Sequence, residues 1–420
     1  MDTVTMMSSG GEPVLSIEKP RIFLSATEVS GDFQAGHLAR ALRRRSPEVV
    51  LSGNGGHHMR AAGVRVEIQV AHLGYIGLQE AVRFERQICR RLTEVKKLLK
   101  SQRPDLVVLV DGERFNEALV PFLIRQEIPF IYYFVPQVWF WGRWRTRRIA
   151  RKARLVIPAF PAEESLFRKA KARVIWCGHS LLDIVRPTLD RSAALRSAGL
   201  DPSRPVVALM PGSRLQEIER FAPSLFSVAS RLARERPELQ FLLPVAAPHL
   251  EKPLRDAIGS QGIENLVTFL SGQDYSCLSS CDLALLSSGT ATLEAALLEV
   301  PMVVFYRVHP VTFLIASILV KSRYIAMPNI LLQDEVVPEL LQNGFTTDKL
   351  FEEAIGLLTN RERRAFMKLK LSGIRELLGG SGVLDRVASA ILSEIGKVAV
   401  SQTKDSAMTD PTSLVKPSRI

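Results

Sequence analysis

Four short stretches of this 420-residue chain mix small, polar and charged residues in the manner of ligand-binding turns. The first, Thr27-Glu28-Val29-Ser30-Gly31-Asp32, precedes a helical pattern that runs through Leu42. Ser30 and Gly31 would open that helix with unpaired amides, which favour anionic or polar ligand groups; Ser30 or Asp32 capping the helix is the equal alternative. The second begins at Asp111, followed by Gly112-Glu113-Arg114-Phe115-Asn116. A carboxylate at a strand end can accept a proton from an attacking hydroxyl, or it can serve as a cap or an ion-pair partner of Arg114. The third is Pro211-Gly212-Ser213-Arg214 with Glu217 and Glu219 close behind, a Gly-Ser turn whose arginine suits a diphosphate. The fourth is Ser288-Gly289-Thr290, with Glu294 one turn into the helix that follows. Together the last two suggest a nucleotide held by two helix N-termini. Neither is a Walker loop or a G-x-G-x-x-G fingerprint, so ATP and dinucleotide sites are not indicated.

The elements that must position these turns are legible as short apolar runs. IFLSA at 22–26, LVVLV at 106–110, IYYF at 131–134, VVAL at 206–209, FLLP at 241–244, LALL at 283–286 and MVVF at 302–305 alternate with longer helical patterns. Continuous apolar runs fit parallel strands covered by helices on both faces. The doubly wound signal occurs twice, so an α/β fold of two Rossmann-like domains is expected. Ligands of open α/β sheets bind outside the carboxyl ends of the strands, where all four turns fall.

The boundaries follow from composition. Residues 1–20 read as a flexible extension, 21–190 as the first α/β domain and 191–359 as the second. Helices within 360–397, broken at Gly379-Gly380-Ser381-Gly382, are candidates to complete the first domain, and 398–420 reads as a disordered tail.

The net charge of +12 calls for an anionic partner: nucleic acid, anionic lipid or a phosphorylated substrate. Seven basic residues and no acid lie between 143 and 154, including Arg143, Arg145, Arg147 and Arg148, beside Trp139, Trp141 and Trp144. That run is either a solvated face or a membrane-interface surface, and no nucleic-acid motif accompanies it. The longest apolar stretch, Val311 to Val320, is too short to span a bilayer, and the first twenty residues lack a secretory pattern; a cytoplasmic location is expected. Cys89, Cys177, Cys277 and Cys281 show no paired spacing. The histidines, His57, His58 and His179 among them, show no metal or triad spacing, so no metal is expected.

Taken in order, the motifs resemble the lipid-A-disaccharide synthase family, inverting glycosyltransferases of the GT-B fold. The resemblance rests on Glu28 to Asp32; Gly53 to Gly63; Ile76-Gly77 with Glu80; Asp111 with Phe115-Asn116; Pro136 to Trp139 with Trp141; Gly178-His179; Pro211 to Arg214 with Glu217; Ser288 to Glu294; Pro301 to Arg307; and Met327-Pro328-Asn329. It implies transfer from UDP-2,3-diacylglucosamine to 2,3-diacylglucosamine 1-phosphate, giving a β-1,6-linked disaccharide and UDP, at the cytoplasmic face of the inner membrane. In that reading Asp111 is the base, and Arg214 with Gly212, Ser213 and the Ser288–Thr290 turn neutralises the departing UDP. Glu294 holds the ribose; Glu28, Ser30 and Asn329 line the crevice, and Gly31 and Asp32 are substrate-binding residues beside them. No metal or other cofactor is required, and nucleic acid is not a partner.

Two positions depart from the family. Where it has a small residue and then Pro-Asp-Phe-Asn after the base, this chain has Gly112-Glu113-Arg114-Phe115-Asn116; where it opens Ala-Gly-Glu, this chain has Ala26-Thr27-Glu28. Both lie on the acceptor side. Rival readings are a GT-B transferase or UDP-sugar epimerase with another acceptor or none, and a non-catalytic homologue that binds membrane or RNA.

Overall fold

The computed structural model describes residues 19–70, 78–135, 145–150, 152–272, 274–310, 313 and 322–408. Trp139, Trp141, Trp144 and Arg143 lie outside them, as do Ile76-Gly77, the side chain of Glu80 and most of 311–321.

Two six-stranded sheets carry the molecule. The first contains β1 (Arg21–Ala26), β2 (Val50–Gly55), β3 (Arg65–Gln69), β4 (Leu106–Val110), β5 (Phe130–Tyr133) and β6 (Leu155–Ile157) in the order β3-β2-β1-β4-β5-β6. The second contains β7 (Val206–Met210), β8 (Gln240–Val245), β9 (Val267–Ser271), β10 (Leu283–Ser287), β11 (Met302–Tyr306) and β12 (Glu339–Leu341) in the order β12-β11-β10-β7-β8-β9. Every pairing in both is parallel. Each is therefore a doubly wound sheet that reverses direction beside its first strand, and the pair forms the GT-B architecture.

The apolar runs become strands because both of their faces are buried. Along β1, Ile22, Leu24 and Ala26 join one core cluster while Phe23 joins another on the opposite face. Each sheet reverses between the strands that precede the four candidate turns: β1 and β4 in the first, β7 and β10 in the second. That is where an open α/β sheet leaves a crevice.

The chain crosses back after the second sheet. The helix Ile374–Leu377 leads to Gly379, whose φ of +94° and close approach to Cα of Gly178 disfavour a side chain. His179 N donates to Leu378 O at 3.0 Å. Asp183 then accepts from Gly382 N at 2.6 Å and Leu384 N at 2.8 Å, starting the helix Val383–Met408. That helix packs along Val29–Arg45 and is pinned to the first lobe by Arg173–Glu394 at 2.7 Å. Its helical course continues to Met408, into the stretch from 398 expected to be disordered; residues 409–420 lie outside the description.

Candidate active site

A crevice of about 540 Å³ lies between the two lobes. From the first lobe it is lined by Glu28, Ser30 and Asp111, and from the second by Gly212, Ser213, Arg214, Ser288, Gly289, Thr290 and Glu294. Ten residues singled out from sequence thus converge on one space, although they come from four separate turns.

Asp111 is fixed by an unusual backbone. It adopts φ +52° and Gly112 follows at φ +67°, so two consecutive residues are left-handed. Aspartate tolerates that region better than most residues, while a Cβ at Gly112 would meet Thr27 Oγ1 at 2.5 Å. Asn116 holds the turn: fully buried, it donates to the carbonyls of Asp111 at 2.7 Å and Ser25 at 3.2 Å and accepts from Ser25 Oγ at 2.6 Å. Ser30 Oγ donates to Asp111 Oδ2 at 3.4 Å. Gly31 lets the helix Val29–Arg45 begin against β4, with its absent Cβ 3.3 Å from Val110 O. Arg114 is exposed and is not among the lining residues.

On the other wall, Arg214 Nη1 donates to Glu217 Oε1 at 3.0 Å, and its Nη2 is bonded to Glu28 Oε2 of the opposite lobe. Burial works against the guanidinium's charge, but Glu28 and then Glu217 more than offset it and hold its pKa above the ordinary arginine value. The amides of Ser213 and Arg214, expected to meet a ligand, instead donate to Glu217 Oε2 at 2.8 and 3.2 Å. The helix Leu215–Glu235 is therefore capped by its own third residue, which removes those two amides from anion binding. Thr290 and Ala291, which open the helix Thr290–Leu297, line the crevice, and amides at the first positions of a helix have no intrahelical acceptor. Glu294 is buried, accepts from Tyr275 Oη at 3.3 Å, and is pushed up to about 7 by desolvation.

Two further expectations are corrected. The Asp32 side chain is not a crevice group: wholly buried, its carboxylate accepts from Gly56 N (2.7 Å), His58 N (2.9 Å) and Met59 N (3.2 Å), capping the helix His57–Ala61. Asn329 is also spent internally, bonding Val336 N and Val337 N (each 2.9 Å), Val337 O and Glu339 Oε1 (each 2.8 Å). Both do work that sequence cannot distinguish from ligand binding, since the partner amides are brought close only by the fold. Of the basic run, Arg147 is exposed, and the side chains of Arg145 and Arg148 lie outside the described residues.

Sequence reasoning missed Tyr275, which bonds Glu294, and the aromatic rings of Phe134 and Phe160 that pack on His179 in the lining. His179 is buried and its pKa is lowered to about 3 by desolvation, so it is a neutral wall residue. Asp32, His57 and His58 bring three ligand-type atoms within 4.8 Å of one another. The two imidazole centroids, however, lie 3.8 Å apart and tilted by 38°, whereas two imidazoles on one tetrahedral ion sit ~5 Å apart.

The family model for lipid-A-disaccharide synthetase matches residues 22–386. The lipid-A-disaccharide synthase of Geobacter metallireducens is 35% identical over 377 residues, covering 90% of this chain and 98% of that one. That of Synechocystis sp. is 35% identical over 388 residues, covering 89% and 97%. Among solved structures, UDP-GlcNAc 2-epimerase from Neisseria meningitidis bound to UDP-GlcNAc superposes with a TM-score of 0.58 at 14% identity, over 89% of this chain and 100% of that one. A putative UDP-N-acetylglucosamine 2-epimerase from Listeria monocytogenes gives 0.61 at 14% identity, over 90% and 97%. At that identity the likeness establishes the fold alone.

Proposed function

The chain belongs to the lipid-A-disaccharide synthetase family, glycosyltransferases of lipid A biosynthesis, and from that premise we propose that it joins UDP-2,3-diacylglucosamine to 2,3-diacylglucosamine 1-phosphate in one inverting step. The observation that carries this is the division of labour across the crevice. A carboxylate on an immobilised left-handed turn stands on the first lobe, and a half-buried arginine beside a helix N-terminus stands on the second.

Asp111 takes the proton of the acceptor's 6-hydroxyl as that oxygen attacks the anomeric carbon of the donor. The bond to UDP breaks as the new bond forms, and configuration inverts because there is a single displacement. Negative charge collects on the departing diphosphate, where Arg214 and the amides at Gly289 to Ala291 stabilise it. Glu294, held by Tyr275, accepts from the ribose hydroxyls. Work at the cytoplasmic face of the membrane is supported by the +12 charge and the basic run at 143–154; no described helix is long and apolar enough to cross a bilayer.

Incubating purified protein with both acylated substrates tests the reading. A β-1,6 disaccharide 1-phosphate and UDP are expected in equal amounts. Asp111→Asn is expected to keep UDP binding and lose turnover by at least about a hundredfold. No disaccharide from the wild type, or an α linkage, would sink the proposal.

A further inference from the structure

The crevice is built for an anion, yet the charged side chains that line it are mostly acidic. Glu28, Asp111, Glu163, Glu217, Asp274 and Glu294 all face it, and of its described lining residues Arg214 alone is an arginine or lysine. That one cation already holds two carboxylates, which are not equivalent. Glu217 sits in the first turn of the helix that Arg214 precedes, is buried, and accepts from two backbone amides and from Tyr306 Oη at 3.5 Å. It cannot leave without uncapping the helix. Glu28 belongs to the other lobe, makes no capping bond to the helix it precedes, and has a side chain one-quarter exposed, as does Arg214.

A guanidinium fork receives a carboxylate and a phosphate in the same geometry. A diphosphate carrying about two negative charges cannot share Arg214 with both carboxylates, because like charges at contact distance in a half-buried site repel strongly. We propose that Glu28 is a stand-in for the donor's diphosphate: in the donor-free enzyme it aims Arg214 across the crevice, and donor binding exchanges one anion for the other. After transfer, the return of Glu28 to Arg214 helps expel UDP. Glu28 is thus a positioning residue that acts through Arg214, and this inference rests on the donor assignment above.

The test compares UDP and uridine binding by calorimetry in wild type, Glu28→Gln and Glu28→Ala, with a melting curve for each. Both variants are expected to bind UDP roughly three- to tenfold more tightly, because the competing carboxylate has gone. Uridine, which lacks phosphates, is expected to bind all three equally. In steady state the donor KM should fall together with kcat, the signature of slowed product release. UDP affinity that is unchanged or weaker in a folded variant overturns the exchange while leaving the donor reading intact. UDP binding to none of the three proteins overturns both. A merely structural Glu28 would lower the melting temperature without tightening UDP binding.

Discussion

Burial gives Glu294 a charge that changes near neutral pH, and this has a thermodynamic consequence. Its folded-state pKa is raised from 4.5 to about 7, so between those values the folded chain keeps a proton that the unfolded chain has lost. Stability contributed at this site is fully present below about pH 4.5 and falls as pH rises to about 7, by up to about 3 kcal/mol. Glu294→Gln removes the ionisation while still accepting from Tyr275. We expect the variant to match wild type at pH 4.5 and to be more stable at pH 8, measured by denaturant unfolding of the ligand-free proteins. A stability gap that does not change with pH would contradict the assignment. Such environments are what sequence conceals. Glu294 was legible as a crevice residue because it follows a small-residue turn after a buried strand, but its partner Tyr275 comes from a different strand-to-helix connection. Asp32 and Asn329 show the converse: a polar residue near the start of a helix looks alike whether it meets a ligand or a neighbouring backbone.

At the level of elements, the turn after β7 shows how a small residue can govern a charged one. Gly212 adopts φ +143°, and a Cβ there would come within 2.4 Å of Glu217 Oε2 and 2.5 Å of its Cβ. Glu217 can cap the helix Leu215–Glu235 and brace Arg214 only because residue 212 has no side chain. Gly212→Ala must therefore displace Glu217, freeing the amides of Ser213 and Arg214 and unsettling the guanidinium. We expect a loss of about 1–3 kcal/mol in stability and a fall of at least about tenfold in kcat/KM, read by thermal unfolding and by the product assay. A variant that is destabilised but fully active would show that the cap serves the fold and not the site. The sequence signalled a phosphate cradle here because Gly-Ser-Arg before a helix is the usual form of one. It could not show that the glutamate three residues after the arginine takes up the amides, since both outcomes use the same residue types at the same spacing.

At the level of the whole molecule, the duplicated sheet order explains why the four turns meet. Each sheet reverses beside its first strand, so β1, β4, β7 and β10 all end at the crevice, and the continuous apolar runs of those strands were enough to find them. What periodicity did not reveal is how firmly the lobes are joined. The crossing segment between Ile374 and Leu384 is bonded to both: Arg375 donates to Leu297 O at 3.0 Å in the second lobe, while Leu378 O and Asp183 tie it to the first. Asp183 caps the returning helix, accepting from Gly382 and Leu384. Replacing it with alanine leaves those amides without their acceptor at a part-buried crossing, a change that costs about 1–2 kcal/mol at comparable helix starts. Because the Val383–Met408 helix packs on Val29–Arg45, whose N-terminus carries Ser30 and follows Glu28, the loosening should reach the acceptor wall. Asp183→Ala is therefore expected to speed hydrogen exchange along 383–396 and along the first turns of Val29–Arg45, with turnover falling more than UDP affinity. Exchange that rises only at 383–396, with turnover intact, would mean that the returning helix closes the first lobe without supporting its half of the site.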